Sequence, residues 1–134
     1  FNSNDKYTYF VQNEHGYSQL YRAVFALDET CTKGIVSELR NIRLPHDNKC
    51  VISVRDQRMF TSAMCLSSNN KMLALTLSSS TNPANLYVIN VDVDDEKQDA
   101  EMTCDQISDV SMPGLNTSEF VACELRSFES FDKL

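Results

Sequence analysis

Glycine is scarce and tryptophan is absent in this chain of 134 residues, which contains three glycines in all. Phosphate-binding loops and the Gly-x-Ser-x-Gly turn that presents a catalytic serine both need closely spaced glycines, and the sequence contains neither motif. We therefore expect no serine triad and no phosphate loop within these residues. The sequence predicts no catalytic residue and no cofactor-binding residue.

Clusters of basic residues and long apolar runs are also missing. The formal net charge is −7 at pH 7, and the lysines and arginines do not cluster, so nucleic acid is not an expected partner. No apolar run approaches the ~20 residues that span a bilayer, and the N-terminal residues do not resemble a signal peptide. Because residue 1 falls inside an apparent repeat, we expect the chain to be a fragment of a longer protein.

Metal-ligating patterns are absent as well. The five cysteines include no Cys-x-x-Cys pair, and the odd count leaves at least one thiol unpaired. His15 and His46 each lie in a polar turn without a second ligand at metal-binding spacing, which indicates surface histidines. The acidic run at 92–101 does not fit a calcium-binding loop, because Lys97 stands where glycine is required. The sequence predicts no metal site.

The clearest structural pattern is a β-hairpin at 71–91. Three leucines alternate with small or polar residues, which puts them on one face of a strand: Leu73, Leu75 and Leu77. Residues 86–91 are apolar on both faces, as in a strand covered from two sides. Pro83 belongs to the connection, because proline cannot donate to a strand ladder. We expect Leu75 and Leu86 both to be buried.

This hairpin has an earlier counterpart. Leu20-Tyr21 matches Leu86-Tyr87 at an offset of 66 residues, and the polar turn at 1–6 matches 66–71 at an offset of 65. One inserted residue reconciles the two offsets. A repeated meander of this kind predicts blades of a β-propeller, in which each four-stranded sheet buries its faces against its neighbours.

Further strands are predicted at 7–11, 20–27, 50–54, 60–66 and 120–128. Residues 35–44 fit either a short helix or a strand, and the meander favours the strand. Residues 102–110 fit an outer strand or a strand-to-helix connection. We therefore expect an all-β fold of two antiparallel meander blades from a larger ring. Residues 1–49 would form an incomplete blade, 50–112 a second blade, and 113–134 a linker or strand.

Several of these segments resemble a known family. Residues 4–11, 19–22, 50–54 and 85–88 are similar to the last two propeller blades of the prolyl oligopeptidase family of serine peptidases, closest to the dipeptidyl peptidase IV group. Residues 78–87 look like that family's last-blade hairpin, and 130–132 look like the opening of its catalytic part. None of the family's catalytic Ser, Asp and His, and neither of its paired glutamates, has a match here, so no functional residue is carried over.

The resemblance implies a non-catalytic propeller part of a dipeptidyl peptidase-like serine exopeptidase, which walls the substrate chamber and gates the access of peptides. The implied partners are the rest of the propeller, an α/β-hydrolase domain and the peptide substrates of the parent protein, with a homodimer left open. An extracellular or membrane-anchored parent is favoured over a cytoplasmic one. The alternative is a β-propeller scaffold for protein interactions with no associated enzyme.

One modification motif is present. Asn116-Thr117-Ser118 fits the N-glycosylation sequon and lies in a turn-rich stretch. Such a tripeptide also arises by chance, and modification requires a secreted protein. Asn116 is therefore a candidate glycosylation site.

Overall fold

The computed structural model describes residues 7–28, 30, 32–52, 64–91, 102–110 and 113–131. Within these ranges the fold is all-β, as expected. The strands are β1 (Thr8–Glu14), β2 (Tyr17–Leu27), β3 (Gly34–Ile42), β4 (Val51–Ile52), β5 (Met64–Leu66), β6 (Met72–Ser78), β7 (Asn85–Asn90) and β8 (Cys104–Gln106), and short 3-10 turns cover His46–Asn48 and Thr117–Glu119. No helix in these ranges is long and apolar enough to cross a membrane.

The first sheet is an antiparallel meander in the order β1-β2-β3. β1 and β2 meet at a tight turn in which His15 and Gly16 both have positive φ, 51° and 81°. The Gly16 amide donates to Asn13 Oδ1 at 3.1 Å, and this bond closes the turn. Residues 34–42 form β3, which settles the choice between helix and strand in favour of the strand.

The second sheet contains the predicted hairpin, with β6 paired to β7 and β7 paired to β8. β4 pairs with Leu77 and Ser78 of β6, and β5 pairs with 73–75 along the same edge. The strands predicted at 50–54 and 60–66 are therefore confirmed in part, since 53–63 lie outside the described residues. The acidic run at 92–101 lies outside them too.

The hydrophobic core of the described residues lies between the two sheets. Leu20 and Ile42 of the first sheet pack with side chains of the second sheet and of the connection between them: Leu44, Cys50, Ile52, Leu73, Leu75, Leu77, Tyr87, Ile89 and Val91. Ser18 of β2 also joins the sheets directly. Its amide donates to the Cys50 carbonyl at 2.9 Å, and its hydroxyl accepts from the Ile52 amide at 3.0 Å.

Arg22 is the largest fully buried side chain among the described residues, with 1% of its surface exposed. Burying a guanidinium is costly unless other groups replace water around it. Its Cζ lies 4.4 Å from the centroid of the Tyr7 ring, which is a cation–π contact. Burial raises the pKa of Tyr9, and the charge of Arg22 opposes that shift. Tyr7, just before β1, and Tyr9 on β1 thus lie beside a charge that a purely apolar core would reject.

Two strand expectations were wrong. Leu86 is 40% exposed, because only the face of β7 that carries Tyr87 and Ile89 meets the first sheet. Residues 120–128 form no strand, since nothing in the described ranges offers them a ladder, and the side chains of Val121 and Phe128 are 83% and 90% exposed. Apolar alternation identified both segments but could not show which faces would find a partner.

The two leucines of the hairpin provide a matched pair for measuring burial. We expect Leu75→Ala to lower the free energy of unfolding by about 2–5 kcal/mol, because the side chain is 2% exposed and its removal leaves a cavity. The same change at Leu86 should cost less than about 1 kcal/mol. Urea denaturation of the two variants measures the difference, and equal costs would contradict the one-sided burial of β7.

Candidate functional site

Three consecutive left-handed residues form the turn that connects the two sheets. His46, Asp47 and Asn48 have φ angles of 59°, 54° and 60°, a region that costs an L-residue roughly 1–2 kcal/mol. Local hydrogen bonds hold the turn, since the Leu44 amide donates to Asn48 Oδ1 at 2.6 Å and the Lys49 amide to the His46 carbonyl at 2.9 Å. Such backbone strain persists only where surrounding contacts fix it, and it clusters at functional segments.

The turn places the ring of His46 against Tyr87 of β7. The Tyr87 hydroxyl lies 3.2 Å from His46 Nε2 and donates to Gln106 Oε1 at 3.1 Å. The Gln106 amide group donates in turn to the Ser108 carbonyl at 2.8 Å, which fixes its orientation. Because Tyr87 gives its single proton to Gln106, His46 must donate from Nε2, and this defines the tautomer of the ring.

Asn82 holds the other side of the same ring. Its Nδ2 lies 3.4 Å from His46 Nδ1, the acceptor nitrogen of this tautomer. Ser79 Oγ accepts from both the amide and the side chain of Asn82, at 3.1 and 3.0 Å, so the β6–β7 loop orients Asn82. Both nitrogens of His46 are therefore engaged, and the ring joins the connection, the β6–β7 loop and the β7–β8 pair.

Two thiols lie near Tyr87 in the same core. Burial raises the pKa of Cys50 to about 11. Burial also raises the pKa of Cys104 to about 11, and the neighbouring Asp105 and Cys50 add to that shift. Burial raises the pKa of the Tyr87 hydroxyl, with smaller effects from the two thiols. These groups remain protonated at neutral pH, and a protonated thiol is neither a good nucleophile nor a good metal ligand.

An open cavity of about 400 Å³ lies beside this cluster. Residues 43–45 and 102–105 line it. The lining includes one cation, Arg43, one anion, Asp105, and apolar surface from Leu44 and Met102. This mixed lining does not favour a ligand of either charge.

A second polar contact anchors residues 107–110 to the start of β7. Asn85 is buried, and its Oδ1 accepts from the Ser108 hydroxyl at 3.0 Å and from the Val110 amide at 2.7 Å. The Ser108 hydroxyl accepts from the Leu86 amide at 2.8 Å. The buried amide of Asn85 is thus satisfied by the segment that it positions.

These contacts stabilise the packing of segments and do not assemble a reaction centre. In the described part of the chain no three His, Cys, Asp or Glu side chains group as metal ligands. His15 is exposed in the β1–β2 turn, and no serine hydroxyl in those ranges bonds to either histidine ring. His46 lies at the surface, as the sequence predicted, although both of its ring nitrogens have partners.

Comparison with known proteins leaves the family open. No family model matches the chain, and neither the curated proteins nor the solved structures yield a match. The resemblance drawn from the sequence therefore enters below as a proposal.

Sequence reasoning missed the His46–Tyr87 contact. The two residues are 41 positions apart, and no spacing rule connects a turn histidine to a strand tyrosine. The one available signal was the small polar loop 78–85, whose side chains suit turn bonding. Tyr87 is 3% exposed and packs in the core.

The cysteines provide a test of burial around Tyr87. At pH 8 we expect iodoacetamide to modify the exposed Cys65 and Cys123 quickly and Cys50 and Cys104 slowly. A rise in pKa from 9.0 to about 11 leaves roughly 100-fold less thiolate at this pH. Alkylation of the buried Cys50 and the half-buried Cys104 should therefore accelerate as the pH rises toward 11. Peptide mapping measures each rate, and equal rates in native protein would contradict the placement of these thiols.

Proposed function

We propose that this chain is the non-catalytic propeller part of a dipeptidyl peptidase-like serine exopeptidase, where it walls the substrate chamber and gates the access of peptides. Residues 1–49 and 50–112 then supply successive blades, and 113–134 lead toward the hydrolase domain. The two copies of the sequence repeat meet in a way that supports this proposal.

The equivalent residues of the repeat face opposite ways. Leu20 is fully buried in the core, whereas its counterpart Leu86 is 40% exposed. Tyr87 is 3% exposed and faces the first sheet, whereas its counterpart Tyr21 lies on the outer side of that sheet, stacked on Phe10 at 5.6 Å between ring centroids. We call the face that carries Leu20 or Leu86 the front of its copy, and the face that carries Tyr21 or Tyr87 the back. The front of the first copy packs on the back of the second, and this head-to-tail contact carries the proposal.

The equivalence extends to the third strand of each sheet. Tyr21 pairs across the ladder with Asn41 of β3, and Tyr87 pairs with Gln106 of β8. The amide position again repeats at an offset of 65, and the Tyr87 hydroxyl donates to Gln106 Oε1 across its ladder. β1-β2-β3 thus corresponds to β6-β7-β8, which leaves the edge position of β4 and β5 without a counterpart among the described residues of the first copy.

Head-to-tail contact supports a ring rather than a two-layer sandwich. A two-fold sandwich would bury the same residues of both copies, whereas a heterologous contact leaves a free front and a free back. Those free faces, around Leu86 and around Phe10 and Tyr21, are the surfaces that further blades would cover. The polar contacts of His46, Asn82 and Asn85 hold segments of the chain together. This structural role is what we propose for a chain that forms the wall of a chamber.

A second function, an interaction scaffold with no enzyme attached, draws on a different observation. Beyond the bulge at Ala23, the paired ends of β2 and β3 carry apolar side chains that are more than half exposed: Phe25, Leu27, Ile35, Val36 and Leu39. Exposed apolar surface of this kind is typical of protein contacts. A scaffold would use this ribbon, and so would a peptidase whose hydrolase domain packs on it.

The head-to-tail contact predicts how the isolated chain associates. We expect the wild-type chain to form open-ended oligomers, because its free front and free back complement each other. Phe10→Lys should block one face and Leu86→Lys the other, so each variant alone should remain monomeric. Mixing the two variants should give dimers, since each retains the face that the other has lost.

Sedimentation velocity distinguishes the outcomes, with circular dichroism to check that each variant folds. Two results would contradict the head-to-tail arrangement. One is a single variant that still dimerises on its own, which indicates a self-complementary face. The other is a wild-type chain that stays monomeric at all concentrations.

The peptidase assignment predicts where activity resides. The purified chain should not hydrolyse dipeptide or acyl-amino-acid chromogenic substrates, because its histidine rings have no serine partner in the described ranges. The parent protein, captured from its own cells with an antibody against this chain, should react with a fluorophosphonate probe and cleave those substrates. A captured protein that does neither would favour the scaffold. Turnover by the chain that a His15→Ala, His46→Ala double variant abolishes would also contradict the assignment.

A further inference from the structure

Asn116 combines a modification motif with a conformation suited to it. Asn116-Thr117-Ser118 is the only Asn-x-Ser/Thr tripeptide in the sequence. Residues 113–119 are all exposed, so the tripeptide is accessible. Asn116 Oδ1 accepts from the Ser118 amide at 3.2 Å and from the Ser118 hydroxyl at 2.8 Å. The side chain thus closes an Asx turn that brings the hydroxyl of the sequon onto the amide of its asparagine.

We propose that Asn116 is an acceptor for an N-linked oligosaccharide. The co-reactant is a lipid-linked oligosaccharide diphosphate. Asn116 Nδ2 forms a bond to the anomeric carbon of the first sugar, the bond from that carbon to the diphosphate oxygen breaks, and the lipid diphosphate leaves. One of the two Nδ2 protons passes to a base of the transferase. No change of oxidation state occurs, and the donor supplies the whole driving force.

The turn accommodates the modified residue as well as the free one. Nδ2 lies 3.1 Å from Glu119 Oε1 and donates to it. After transfer Nδ2 still carries one proton, so one donor remains on this nitrogen. Oδ1 takes no part in the new bond and keeps both of its bonds to Ser118. Leu115, the neighbour of Asn116 in the chain, is 56% exposed, which leaves space around the acceptor.

This site does not depend on the proposed function. A peptidase and a scaffold would both carry the glycan if their chain passes through the secretory pathway. The modification and the peptidase assignment can therefore fail separately, because one is measured at a single asparagine and the other by a fluorophosphonate label.

The test uses the parent protein purified from its own cells. Peptide-N-glycosidase treatment in heavy-oxygen water should convert Asn116 to a labelled aspartate in the peptide that spans 113–119. An unmodified Asn116 in the whole population of that peptide would overturn the proposal.

Variants of the 134-residue chain, secreted from insect cells behind an added signal peptide, separate the motif from the fold. Asn116→Gln and Ser118→Ala should each abolish the glycosidase-sensitive mass. Thr117→Pro is the matched control, because it keeps both sequon residues and suits the first position of the short 3-10 turn, yet proline at this position blocks transfer. Secreted wild-type chain without a glycan, or Thr117→Pro that still carries one, would contradict the assignment.

Discussion

The packing of two β-sheets front to back is the constraint on which the rest of this structure depends. Neither sheet could bury its apolar face alone, and fully burying each large aliphatic side chain contributes about 1.5–3 kcal/mol. The core therefore forms only where Leu20 and Ile42 meet the leucines of β6 and the Tyr87 face of β7. Ser18 sets the register of that contact, because its two hydrogen bonds to the Cys50 carbonyl and Ile52 amide allow little sliding.

The strained turn at 46–48 follows from this packing. The chain must leave β3 on one sheet and enter β4 on the other within eight residues, 43–50. Three left-handed residues accomplish that reversal at a cost of several kcal/mol by the usual per-residue figures. The bonds of His46 to Tyr87 and Asn82, and of Asn48 to the Leu44 amide, offset part of that cost. The polar cluster is thus explained by the geometry of the connection.

Local periodicity was sufficient to predict the strands and the hairpin but not their partners. The alternation of leucines in β6 identified its buried face, and both copies of the Leu-Tyr motif lie on strands, β2 and β7. The expectation that Leu86 is buried was wrong. Apolar alternation shows which faces of a strand are apolar, but it does not show which of those faces another element covers. The His46–Tyr87 contact depends on the path of the connection, which three positive φ angles determine and no sequence rule for His, Asp and Asn would predict. Residues 120–128 failed as a strand for a different reason, since no described strand pairs with them.

The most direct test of the front-to-back arrangement compares the two equivalent tyrosines in the 134-residue chain. We measure the free energy of unfolding of Tyr87→Ala and Tyr21→Ala against wild type by urea denaturation. We expect a loss of about 3–5 kcal/mol for Tyr87→Ala, because this side chain packs in the core. For Tyr21→Ala we expect less than about 1.5 kcal/mol, because the ring stacks on Phe10 outside the core. Equal losses would show that the two copies bury the same face, and the head-to-tail arrangement would then be wrong.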